Sequence, residues 1–129
     1  MNPRHFVVDN AHVDELAHRF VVLRRAAQSA FSEGGASPHF MESAKVMSMT
    51  YCELVTAMGL SQGYAVSADG KRARLIRVER SMGRTILTFP PALTPSCTGL
   101  NPVSPEAYEG MRQEALSAMG ASSQALAAS

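Results

Sequence analysis

The stretch YAVSADGKRARLIRVERSMGRTILTF, residues 64–89, decides the fold. It is rich in β-branched and aromatic residues and carries two turn signals, Asp69-Gly70 and Met82-Gly83. That pattern predicts antiparallel strands joined by tight turns. Asp69-Gly70 reads as the stronger two-residue turn, and Arg72 to Ser81 as one long strand returning through Arg84 to Phe89. The two turns make conflicting demands on that strand. The first pairs Val66 with Ala73 and Tyr64 with Leu75, so odd-numbered residues face the core. The second pairs Val78 with Leu87 and Ile76 with Phe89, so even-numbered residues do. A strict two-residue period cannot satisfy both. Either the strand is apolar on both faces, or a bulge near Leu75-Ile76 switches the phase.

The same stretch holds the charge. Residues 69–84 carry Lys71, Arg72, Arg74, Arg77, Arg80 and Arg84 against Asp69 and Glu79, a net of +4. The flanking segments 1–68 and 85–129 are net −1 and −2, so the whole chain is only +1. Arginines spaced along a strand pair well with phosphates or carboxylates. They also act simply as solvated residues that protect a strand edge. A phase switch at Leu75-Ile76 would place Arg72, Arg74 and Arg77 on one face. Without it Arg77 lies opposite the other two.

Upstream, two helices are expected. Asn10 is positioned as an N-cap, with Asp14 and Glu15 in the first turn. Val13, Leu16, Phe20, Leu23, Ala27 and Phe31 then recur at helical spacing until Gly34-Gly35. Ser37-Pro38 is a second start signal, a capping hydroxyl followed by proline at the first helical position. Phe40, Ala44, Met47, Tyr51, Leu54 and Met58 form the next stripe, which Gly59 closes. The short loop between the helices implies an antiparallel pair. Before them, Arg4 to Val8 reads as a short strand.

Residues 90–105 hold five of the seven prolines and read as an irregular connection. Ser104-Pro105 starts a short C-terminal helix with its stripe at Tyr108, Met111, Ala115 and Met119. It is expected to end at Gly120, before a flexible tail over 121–129. The fold class is therefore α+β in a single domain over 1–120: an N-terminal helix pair on a small three- to four-stranded antiparallel sheet, a Pro-rich loop and a short C-terminal helix.

Catalytic and metal-site signals are thin. His5, His12, His18 and His39 have no partners at metal-ligand spacing, and Cys52 and Cys97 form no metal motif. Cys52 would need a histidine brought near by the fold to act as a nucleophile, and mid-helix within an apolar stretch it reads as a small packing residue. No cofactor loop occurs: Gly34-Gly35 and Gly59 read as helix terminators. A helix-turn-helix over Tyr51 to Ala68 would need residues 61–68 to be helical. No apolar run reaches membrane-spanning length, and the expectation is a cytoplasmic protein with reduced thiols and no cofactor.

The function expected from these residues is a small non-enzymatic binding or regulatory module. Its basic hairpin, through Lys71, Arg72, Arg74, Arg77 and Arg84, would contact nucleic acid or an acidic protein surface. Two alternatives remain. One is a small RNA-cleaving, toxin-like enzyme in which the same arginines stabilise phosphate charge. The other is a protein-interaction module, inhibitor or chaperone, built on the Met-rich second helix. Met41 and Met49 lie off that helix's main stripe, so a second apolar face would need cover from the C-terminal helix or from a second copy in a homodimer.

Overall fold

The structure is a computed structural model that describes residues 3–128, with side chains described up to residue 118. Strand β1 (Arg4–Val8) leads into α1 (Ala11–Gly34) and α2 (Pro38–Ala57). Strands β2 (Tyr64–Val66), β3 (Arg72–Arg74), β4 (Arg77–Ser81), β5 (Arg84–Phe89) and β6 (Leu100–Val103) follow, then α3 (Pro105–Ala128). The expected stop at Gly120 lies inside α3. The tail expected over 121–129 falls on residues whose side chains lie outside the described set.

Each helix starts where a side chain satisfies an otherwise unpaired backbone donor. Asn10 accepts from the Val13 amide at 3.1 Å, and Ser37 from the Phe40 amide at 3.2 Å. Ser104 accepts from the Ala107 amide at 3.1 Å. Gly35, at φ +61°, ends α1 by donating to the Phe31 carbonyl. The two N-terminal helices form the expected antiparallel pair, but its tip extends past the core. Phe31 is 54 % exposed there, packed edge-on against Phe40 rather than buried.

The main sheet is antiparallel with strand order β4-β5-β1-β6. Period-2 alternation sends Phe6, Val78, Leu87 and Phe89 to the α1 side, where they join Val13, Leu16, Phe20, Tyr51, Leu54 and Met58 in one core. The opposite face carries His5, Glu79, Ile86 and Thr88 and is crossed by α3. Tyr108 of that helix stacks on His5 with ring centroids 3.7 Å apart, and its hydroxyl donates to Glu79. The α3 helix is therefore on the far side of the sheet from α2, and it does not cover Met41 or Met49.

Residues 100–103 were expected to be irregular. They form instead an edge strand whose Pro102 pairs opposite Phe6. An edge tolerates the missing amide. The Pro-rich segment before it is tied down at several points. Leu93 and Cys97 pack on the core, Ser96 donates to the Met58 carbonyl at 2.9 Å, and Asn10 Nδ2 donates to the Thr98 carbonyl at 2.9 Å. Cys52 and Cys97 are both free thiols.

The stretch 64–89 is not one long strand with its neighbours. It makes two hairpins in two separate sheets: β2-β3 alone, and β4-β5 at the edge of the main sheet. The strand is interrupted at Leu75-Ile76, the place where the two expected phases would have collided. The second register is as expected, with Val78 opposite Leu87 around a two-residue Met82-Gly83 turn. Both turn residues have positive φ, +54° and +77°, as a type I′ turn requires. The first register differs by one residue. Tyr64 pairs with Arg74 and Val66 with Arg72, because the loop is three residues long, Ala68-Asp69-Gly70. Ser67 donates its amide to the Lys71 carbonyl at 2.8 Å, and Gly70 takes the left-handed position at φ +83°. Asp69 accepts from the Lys71 amide at 3.3 Å and from the Ser67 hydroxyl, which holds the longer loop in place of a two-residue one. With β2 extended over 64–66, the helix-turn-helix reading is overturned.

Candidate functional site: a basic cleft beside the strand break

The break is held by one buried phenol. Tyr51 of α2 is 0 % exposed, and its hydroxyl donates to the Gly63 carbonyl at 2.7 Å. The same oxygen accepts from the Ile76 amide at 3.2 Å, while the Leu75 amide donates to Gly63 at 2.9 Å. Burial pushes the Tyr51 pKa above its ordinary value, so the group stays a neutral donor and acceptor. Three backbone groups that a continuous ladder would have paired are satisfied this way at the point where the strand turns aside.

Beyond the break lies a cleft of about 610 Å³ between α1 and the β3–β4 segment. Arg24, Arg72, Arg74 and Arg77 line it, with Phe20 and Tyr64 among its walls. Three of the guanidiniums lie over aromatic rings: Arg72 is 4.2 Å from the Tyr64 centroid, Arg74 is 5.3 Å from Phe20, and Arg24 is 5.4 Å from Phe20. Stacking of this kind orders the long side chain and leaves the edge donors of the guanidinium for an anion. Among the described residues, Arg24, Arg72 and Arg74 have no carboxylate within ion-pair distance, whereas Arg77 is 3.8 Å from Glu79. Burial, then the neighbouring charges of Arg74 and Arg25, lower the Arg24 pKa. It remains charged, so the site holds unrelieved positive charge.

The residues expected at the site divide. Arg72 and Arg74 lie on the Tyr64 and Phe20 side with Arg24, whereas Arg77, though it also lines the cleft, pairs opposite Thr88 on the Glu79 face of β4, so the expected phase switch does not put all three on one face. Lys71 sits at the hairpin tip, 3.9 Å from Asp69, and Arg84 lies at the β5 start, 3.6 Å from Glu114 of α3. Neither lines the cleft. Arg80 turns to the α1 side, where it bonds Asp14 at 3.0 Å and Thr85 at 2.8 Å. Arg24 was missed, since on α1 it reads as a solvent-facing residue beside Arg25. It reaches across to donate to the Val78 carbonyl at 3.1 Å. That carbonyl lies on the outer edge of β4, so Arg24 also blocks the edge against pairing with another chain.

No group of three or more potential metal-ligating side chains occurs among the described residues, and no helix there is long and apolar enough to cross a membrane. No protein-family model, curated protein or solved structure matches the chain.

Proposed function

We propose that this protein is a binding module whose cleft of Arg24, Arg72, Arg74 and Arg77 receives an anionic group of a partner. The observation that carries the reading is the set of three stacked guanidiniums without carboxylate partners in one concavity. Bringing like charges together costs free energy, and a bound anion offsets it. The dispersal of Lys71 and Arg84 favours a compact anionic feature over a long duplex laid along the hairpin. Apart from the arginines, Tyr64 is the one lining side chain that could move a proton. A single such group supports binding over the RNA-cleaving alternative, which uses both a base and an acid beside the phosphate.

The test is anisotropy titration of fluorescent polyanions, a polyglutamate peptide and a single-stranded oligonucleotide, at several salt concentrations. Wild type should lose affinity steadily as salt rises. The double variant Arg72→Glu/Arg74→Glu should bind at least about tenfold more weakly, since each charge-assisted contact contributes on the order of 1.5–3 kcal/mol. Unchanged affinity in a folded double variant would refute the assignment.

A further inference from the structure

Next to the basic cleft lies a second concavity, a groove of about 710 Å³ between the first turns of α1 and the second half of α2. Leu16, Met49, Cys52 and Ala57 line it, and it ends at Tyr64 and Arg72. Those last two residues also line the basic cleft, so the two concavities meet at the Arg72–Tyr64 stack. Met49 is 56 % exposed and Cys52 is exposed as well. With α3 on the far side of the sheet, nothing in the described chain covers them. Lys45 and Arg72 also line the groove, against Glu53 as its one acidic lining residue.

We infer that the partner is an acidic polypeptide segment that places its carboxylates in the arginine cleft and a large apolar side chain in the adjoining Leu16–Met49–Cys52 groove. The inference rests on the cleft reading above and adds the identity of what binds. Charge decides the sign of the partner, because the two concavities share Arg72 and carry Lys45 at the groove. The apolar lining decides its class. A flexible methionine beside a leucine accepts an aliphatic or aromatic side chain of varied shape. A nucleic acid strand would instead need free ring faces for its bases. Tyr64 offers little of that, since Arg72 covers one face and Tyr51 packs against the ring at 5.1 Å.

The experiment uses the full chain and three fluorescent probes. Two are twelve-residue peptides of equal negative charge, one interspersing glutamate with leucine and phenylalanine, the other with serine in those places. The third is a twelve-nucleotide oligothymidylate. The apolar-acidic peptide should bind about tenfold or more tightly than its serine counterpart, the expected effect of burying one large side chain. N-ethylmaleimide on Cys52, in a Cys97→Ala background, should remove that advantage and leave the serine peptide unaffected. Met49→Gln, an uncharged polar change at an exposed position, should do the same without a reagent. Equal affinity for the two peptides, or an advantage that survives both changes at the groove, overturns the inference and leaves the cleft reading standing. Tighter binding of the oligonucleotide than of either peptide overturns it in favour of nucleic acid. If none of the three binds, the cleft reading fails as well.

Discussion

Replacing Tyr51 by phenylalanine removes one oxygen and leaves the ring, its packing against Phe20 and Tyr64, and the core volume in place. The oxygen serves two partners of different vulnerability. The Gly63 carbonyl keeps its bond from Leu75 at 2.9 Å. The Ile76 amide loses its acceptor at 3.2 Å, in a residue only 2 % exposed. A buried donor left without a partner costs about 1–3 kcal/mol, and the second lost bond adds about 0.5–1 kcal/mol. We expect Tyr51→Phe to destabilise the fold by roughly 2–3 kcal/mol, a fall in Tm of about 6–10 °C for a domain of this size. The same change frees the break at Leu75-Ile76, so the Ile76 amide should exchange with solvent faster than core amides of β5. Binding should weaken too, because Arg72 and Arg74 are no longer held facing Arg24. A core truncation remote from the break, such as Val13→Ala, serves as the control: it lowers Tm while leaving affinity at low temperature intact. The measurements are thermal unfolding, amide exchange by NMR and the anisotropy titration. A Tm within about 2 °C of wild type, or Ile76 exchange that follows only global stability, would show that the phenol does not hold the break.

Two further outcomes follow from local geometry. Met82 has a left-handed backbone and an exposed side chain at the first position of a type I′ turn, so Met82→Asn should stabilise the protein by about 0.5–1 kcal/mol, read as an upward shift of the urea midpoint with unchanged slope. His5 lies under Tyr108, with Nδ1 2.9 Å from the Thr88 hydroxyl, and its pKa is lowered from 6.5 chiefly by burial, with Glu79 opposing and Arg77 reinforcing the shift. The unfolded chain therefore takes up a proton at this site first. Stability should be at its full value above pH 6.5 and fall as pH drops through 6.5, levelling once folded His5 is protonated as well. A pH series of unfolding midpoints checks this, and a slope that is the same in His5→Gln would contradict it.

The helices and the first strand could be read from sequence because their signals are local. Asn10, Ser37 and Ser104 each cap the helix that their position implies, and Arg4–Val8 forms the strand expected there. The first hairpin failed by one residue for a reason that is also local but finer. Asp69-Gly70 is a strong pair for a two-residue turn, yet the Ser67 and Asp69 side chains stabilise a loop with Ala68 included. Strand β6 was hidden by Pro102, whose tolerance depends on its being at an edge, a property of the whole sheet. Arg24 illustrates the largest gap. Its partner carbonyl on Val78 is 54 residues away, so nothing near it in the chain distinguishes it from Arg25. The interruption at Leu75-Ile76, by contrast, falls where the sequence marked a discontinuity, although the phase conflict that marked it depended on a two-residue first turn that does not form.

The observed register puts Arg72 and Arg74 on the Tyr64 face, toward Phe20 and Arg24 of α1, and alternation leaves Arg77 on the Glu79 face. Breaking the ladder at Leu75-Ile76 leaves backbone groups unpaired, and Tyr51 supplies partners for them from α2. Aromatic rings then order the guanidiniums without neutralising them, since Tyr64 and Phe20 contribute no formal charge. A carboxylate paired with Arg72 or Arg74 would leave less attraction for a partner. Glu79 shows the contrast within the same strand, where it takes up part of Arg77's charge and leaves Arg72 and Arg74 unopposed. The fold thus holds in one cleft a local electrostatic strain that the proposed anionic partner would relieve, while Arg24, bonded to Val78, keeps the adjoining strand edge closed.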